Sequence, residues 1–325
     1  MKSKLTLLIV LLLAVSVVTV FAAGRPEAAA EPTRLAVATG GTAGVYFPLG
    51  GAFANIVSEK VDGVTANAES TGASVVNVNL LNNGEVDFAM IQNDISFYAF
   101  NGEEMFSDNP PLTNLRGVAS IYPEVIQIVV NANTGINSVN DLHGQRVAVG
   151  APGSGTEANA RQILAAHGIS YDDIRADFLS FAEAADALRD GNVDAAFVTA
   201  GLPTAAVTDV STTHNVRILS IDAGVAQSII ADYPFYDQVT IPAGTYSRQT
   251  SDVQTVAVMA MLSVRAGLSE DLVYRVTKAL FENLDMFSAA HARGGNLSLD
   301  TSTGGMPLEL HPGAARYYRE VGVIQ

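Results

Sequence analysis

The stretch RVAVGAPGSGTEANARQILAAHG, Arg146–Gly168, runs from strand to loop to helix with no spacer. Val147–Val149 is a short apolar run of buried-strand type, and the glycine-, proline- and hydroxyl-rich segment after it reads as a loop. Ser154 with Glu157 three residues on is a capping-box pattern. Ile163 and Leu164 fall on one helix face, and Gly168 suits the residue just past a helix end. The design occurs a second time upstream, in RLAVATGGTAGVYFPLGGAFANIVSE, Arg34–Glu59. There Leu35–Ala38 is the strand, Gly40, Gly41 and Gly44 punctuate the loop, and Pro48 fits the first turn of a helix carrying Phe53, Ile56 and Val57.

A further matched pair follows each unit. LLNNGEVDFAM, Leu80–Met90, corresponds to ALRDGNVDAAF, Ala187–Phe197. Each reads as a helix end, a glycine cap and a strand entered through Val-Asp. Two similar open α/β lobes account for this better than one long sheet, given the βαβ spacing of both sections. LRGVASIYPEVIQIVVNANTG, Leu115–Gly135, has hardly a turn signal before Asn131 and suits a crossing from one lobe to the other. The return is expected between RILSI, Arg217–Ile221, and QVTIPAGTY, Gln238–Tyr246. VQTVAVMAMLSV, Val253–Val264, is a continuous apolar run, read as strand in its Val/Thr-rich part. Helices are expected from Ser269 and from Pro312. The expected organisation is a signal peptide over residues 1–22, a linker over 23–33, a first lobe from 34–124 and 236–325, and a second lobe, 125–235, inserted in it. A cleft between lobes joined by paired strands is a natural ligand site.

Lys2 and Lys4 precede the apolar run Leu5–Val20, and VFAAG offers Val20 and Ala22 as the small residues of a cleavage site. A retained anchor is the alternative, but the run is short against the roughly 17–25 residues that a span needs. Export to the periplasm is therefore expected. The sequence has no cysteine, which removes disulfides and thiolate chemistry. Its formal net charge is −15, and removal of residues 1–22 takes away two lysines to leave −17. That surface repels nucleic acid and anionic membranes. It does not exclude a small anion held by local backbone N–H groups.

Three chemistries compete for the glycine loops. A phosphate-binding loop needs a lysine after its last glycine, whereas Gly155 is followed by Thr156 and Glu157. A Ser154 nucleophile lacks the GxSxG frame, since Pro152 holds the first glycine position, and the five histidines are scattered. No HExxH or cysteine pattern suggests a metal, so no catalytic residue, metal or cofactor is expected. Anion capture remains: helix-start amides are unpaired and carry partial positive charge, and glycines let a carboxylate approach them. The expected ligand contacts are Gly41, Thr42, Tyr46, Thr71, Ser74, Gln92, Gly153, Ser154, Gly155, Thr156 and Gly201. Phe88 and Phe197 are expected in the core, and Tyr122, Pro123 and Glu124 at a hinge or at the ligand.

The segments ATGGTAGVYFPLGG (Ala38–Gly51), STGASVVNVNLLNNGEVDFAMIQND (Ser70–Asp94), IYPEVIQIVV (Ile121–Val130), GQRVAVGAPGSGTEANA (Gly144–Ala160), IPAGTYSRQTSDVQTVAV (Ile241–Val258) and PLELHPGAARYYREVG (Pro307–Gly322) together resemble, in order, the solute-binding proteins of the TAXI group. These are receptors of TRAP-type secondary transporters. The resemblance implies a type II periplasmic-binding-protein fold, two α/β lobes with crossover strands. It also implies a ligand such as glutamate, glutamine or a related dicarboxylate, and delivery to TRAP permease subunits. A monomer is expected, and a sensory module signalling to a membrane kinase is the alternative function. The other class of TRAP receptors holds its carboxylate with an arginine; Arg116 and Arg248 are the candidates here.

Overall fold

The computed structural model describes residues 32–325, and the expected signal peptide and nearly all of the linker lie outside them. In chain order the strands are β1 (Thr33–Ala38), β2 (Val64–Glu69), β3 (Phe88–Gln92), β4 (Leu115–Asn131), β5 (Arg146–Ala148), β6 (Arg175–Asp177), β7 (Ala195–Ala200), β8 (Val216–Leu219), β9 (Asp237–Ile241) and β10 (Val253–Arg265). The helices are α1 (Tyr46–Lys60), α2 (Ser74–Asn83), α3 (Asn93–Asn101), α4 (Gly155–Ala166), α5 (Phe181–Arg189), α6 (Ala205–Thr213), α7 (Ala223–Asp232), α8 (Glu270–Phe281), α9 (Leu284–Ala290) and α10 (Pro312–Glu320).

The strand order β2-β1-β3-β10-β4-β7-β5-β6 is nearly symmetric about its middle. On one side β1 lies parallel to β3, with Val37 opposite Phe88. On the other β5 lies parallel to β7, with Val147 opposite Ala195. The two repeated units thus form equivalent halves, as their shared grammar predicts. Between them run the two longest strands, β4 with 17 residues and β10 with 13, antiparallel from Ala257–Val125 to Arg265–Leu115. The whole apolar run at 253–264 is strand: β9 pairs with Val253–Ala257, β4 from Ala257 onward and β3 with Ala260–Val264, so it is a central strand buried on both faces. The segment 217–246 supplies only short strands at the margins, β8 on β4 and β9 on β10. The long return strand is β10.

The largest buried cluster runs through both halves, with Leu35 and Phe53 at one end and Leu188 and Val207 at the other, and smaller clusters flank it. Val37 and Phe88 are also buried in it, and Ile128, Val147, Ile163 and Phe197 in one of the flanking clusters. The helix starts at Ser269 and Pro312 form as expected, Ser269 accepting from the Leu272 amide. The fold is the two-lobe α/β fold of the periplasmic binding proteins, with crossover strands between the lobes.

Candidate functional site

β1 and β5 each end in a glycine-rich loop that feeds a helix, and because their halves are equivalent, both loops open onto the same gap. Gly41, Gly44 and Tyr46 line it from one side and Ser154, Gly155 and Thr156 from the other. The cavity is about 70 Å³ within about 590 Å³ of atom-free space that includes its open mouth. The halves touch around it: Val75 and Val76 both donate backbone hydrogen bonds to the Gly153 carbonyl at 3.1 Å, and the Ala206 amide donates to the Ala43 carbonyl at 3.3 Å.

The helices α1, α2 and α4 begin at this cavity, as do α3 behind Gln92 and α5 behind Ser180. α1 follows Val45 and α2 follows Ala73, neither of which supplies a side-chain cap. α4 follows Ser154, whose hydroxyl accepts from the Glu157 amide at 3.2 Å. The reciprocal half of the expected capping box is missing, because Glu157 turns to Arg161 and to the Tyr171 hydroxyl, 2.8 Å away. The amides of Tyr46, Ser74, Gly155 and Thr156 all belong to lining residues and find no acceptor within the described residues. Such groups carry partial positive charge and favour an anion. No lysine or arginine lines the cavity. Arg116 lies beside Glu309 and backbone carbonyls, and Arg248 lines a separate depression. Ala73 is held at φ 70°, a left-handed strain in a non-glycine residue placed at the cavity wall.

Of the residues singled out from sequence, Gly41, Tyr46, Thr71, Ser74, Gln92, Ser154, Gly155 and Thr156 line the cavity. Some of their side chains are committed to the frame: Thr71 donates to the Thr39 carbonyl at 2.9 Å, and the Ser74 hydroxyl accepts from the Gln92 amide at 3.1 Å. Three lie outside the lining. Thr42 is exposed on its turn. Gly153 spends its carbonyl on Val75 and Val76, and Gly201 is packed against Tyr122 and Arg293.

Glu124, expected at a hinge or at the ligand, lines the cavity, and Ser180, Phe181, Thr199 and Ala200 line it without having been assigned to it. Thr199 had a signal: in the alignment of the two repeated strands it is the counterpart of Gln92. Both stand at the cavity end of their strands, and both keep a buried polar atom without a partner, Gln92 Oε1 and Thr199 Oγ1. Ser180 also had one, since Ser180 and Glu183 form a complete capping box at the start of α5.

Glu124, 3% exposed in the middle of β4, accepts from the Tyr46 hydroxyl at 2.7 Å and from the Tyr122 hydroxyl at 3.5 Å. Burial pushes its carboxyl up to about 8; the Tyr46 bond opposes this and the nearby Asp94 charge reinforces it. Asp94 stands behind the cavity in a buried seam between the halves. It accepts from Asn159 Nδ2 at 2.9 Å, which also reaches the Tyr236 hydroxyl at 2.7 Å. Burial raises Asp94 to about 6 against the hydrogen bonds it accepts. Since the Asn159 amino group faces that carboxylate, its carbonyl oxygen faces Gln92 Nε2 at 3.2 Å, which leaves Gln92 Oε1 as the free acceptor.

Solved structures with this fold include PhnD1 from Prochlorococcus marinus (MIT 9301) in complex with methylphosphonate, at 13% identity and a TM-score of 0.56 over 90% of this chain and 100% of that one. A protein of Bordetella bronchiseptica RB50 matches at 17% identity and 0.54 over 91% and 90%. XAC2383 from Xanthomonas citri, solved with chloride ion, matches at 14% and 0.50 over 89% and 97%. A model of the NMT1-like family matches residues 37–322, nearly everything described above, and the chain therefore belongs to the NMT1-like family.

Proposed function

We propose that the protein is an extracytoplasmic receptor that binds a small carboxylate between its lobes and hands it to a TRAP-type membrane permease, with no catalytic step. The observation that carries this reading is the convergence of unpaired amides from both halves, Tyr46 and Ser74 on one side and Gly155 and Thr156 on the other, on one small cavity without a basic side chain. Each charge-assisted bond to a carboxylate contributes about 1.5–3 kcal/mol net, so a few suffice to hold a small acid in an acidic protein. PhnD1, of the same fold, was solved with another small oxyanion.

The contacts in this reading are Gly41, Tyr46, Thr71, Ser74 and Gln92 from the lobe of residues 34–124 and 236–325, and Ser154, Gly155 and Thr156 from the lobe of residues 125–235. Gly153 supports the site through its carbonyl, which the Val75 and Val76 amides grip, and Thr42 and Gly201 are not contacts in this reading. The TAXI-like segments argue for a TRAP permease as the partner and for glutamate, glutamine or a related dicarboxylate as the ligand. The basic and apolar start of the sequence argues for export and release into the periplasm. The closed form should dock better on the permease, since a ligand shifts a population only through differential affinity.

Thermal unfolding of the purified protein against a panel of amino acids and organic acids tests the reading. At least one small carboxylate should raise the midpoint by several degrees at millimolar concentration. A flat response to every acid would remove the claim.

A further inference from the structure

Glu124 is the one acid among the cavity-lining residues, and among the described residues it enters no salt bridge. The groups acting on it come from three elements: Tyr46 at the start of α1, Tyr122 on β4 itself, and Gln92 and Asp94 at the junction of β3 and α3. None is a cation. Arg293, whose side chain abuts Gly201 and Tyr122 and whose Nε is buried without a hydrogen-bond partner, forms no ion pair with Glu124. A buried carboxylate without a counter-charge is costly, and proteins otherwise pair such groups. Glu157, the acid at the other loop, shows the ordinary solution, a salt bridge to Arg161. Gln92 Oε1 adds a second lining acceptor without a donor. The cavity wall therefore presents unpaired donors at its helix starts, an unpaired acceptor at Gln92 Oε1, and at Glu124 a carboxyl that is hydrogen-bonded by tyrosine hydroxyls but not by a cation. A carboxylate ligand satisfies only the donors.

We infer that Glu124 is a specificity-determining residue that pairs with a cationic nitrogen of the ligand, so that the cleft takes a small zwitterion, an ammonium carboxylate, in preference to an acid without an ammonium group. The inference rests on the small-carboxylate reading and narrows it. The protein would then hold Glu124 protonated while the cleft is empty and ionised once the ammonium group is in place. Binding would release the carboxyl proton to solvent.

Calorimetry of the purified chain with matched pairs tests this. L-glutamate against 2-oxoglutarate comes first, then other L-amino acids against the 2-oxo acids of the same skeleton. Titrations run between pH 6 and 8 in buffers of different ionisation enthalpy. The amino acid of the responding pair should bind at least about tenfold more tightly than its 2-oxo partner, the size of one charge-assisted bond. Near pH 6.5 it should release close to one proton, and its affinity should rise by up to about tenfold per pH unit towards pH 8. Glu124→Gln should weaken the amino acid by about 10–100-fold, suppress the proton release and leave the 2-oxo acid within a few-fold. Should that variant fail to fold, the proton count of the unaltered protein decides alone.

Equal or tighter binding of the 2-oxo acids, or proton uptake with affinity falling as pH rises, would overturn the inference. In that case a protonated Glu124 would be donating to an anion, and the carboxylate-receptor reading would stand. If no carboxylate of either kind binds, that reading falls as well.

Discussion

The two glycine loops look interchangeable on paper, yet the structure uses their glycines for different ends. In the loop before α4, Gly150 sits at φ 109° and an added Cβ would lie 2.9 Å from both the Glu157 amide and Thr156 Cβ, and 3.0 Å from Ser154 Oγ. That glycine sets the backbone path. In the loop before α1, Gly41 is not left-handed, and an added Cβ would meet nothing within 4 Å. That glycine keeps a wall of the cavity bare. The acids at the two loops differ as well. Glu157 is paired with Arg161, whereas Glu124, held by the Tyr46 hydroxyl, has no cation. Similar loop sequences therefore give one rigid rim whose acid is ion-paired and one open rim backed by a buried carboxyl without a counter-ion.

The largest expected break in this comparison is at Gly150. Gly150→Ala should cost about 2–4 kcal/mol in chemical denaturation, from left-handed strain plus the contacts that have to shift. An effect under 1 kcal/mol would show that the loop can rearrange and is not rigid. Next is the pH dependence. Asp94 and Glu124 both titrate above their unfolded values, near 6 and near 8. For raised carboxyls the stability contribution is complete at about pH 4 and is lost as pH rises through 6 and then 8. Unfolding free energy should fall steadily over that window. Glu124→Gln should flatten the upper part and stabilise the protein at pH 8. Identical slopes in the wild type and Glu124→Gln would contradict the account of a buried carboxyl without a counter-ion.

Smaller effects separate the rims further. Ser154→Ala should cost about 1 kcal/mol through loss of the cap on the Glu157 amide. Gly41→Ala should leave stability within about 0.5 kcal/mol while weakening binding of whichever acid stabilises the wild type, since its methyl would enter the cavity mouth. Unchanged affinity in that variant would mean that the open rim does not meet ligand.

Much of this arrangement was legible from residue order. The strand–loop–helix units, the helix starts at Ser154, Ser269 and Pro312 and the core positions of Phe88 and Phe197 follow from periodicity and capping chemistry. The shared cleft follows from the repetition of the unit. Gln92 was legible as a strand end, and its repeat partner Thr199 could have been found by the same alignment, two residues before the Gly201 that was singled out. Glu124 was the harder residue. It stands inside a crossing strand that reads as almost continuous apolar sequence, where patterning predicts no charge, and its placement depends on pairing with β10 and on the reach of Tyr46, neither of which is encoded locally. The return path was misplaced for a related reason: short strands such as β8 and β9 have the same local pattern as a crossing strand, and only long-range pairing tells them apart.

A crystal structure with the stabilising acid bound is the most direct test of the central claim. The account predicts carboxylate oxygens within hydrogen-bonding distance of amides from both sides, Tyr46 or Ser74 and Gly155 or Thr156, in one site. A ligand held by one loop alone, by an arginine, or in another depression of the surface would contradict it.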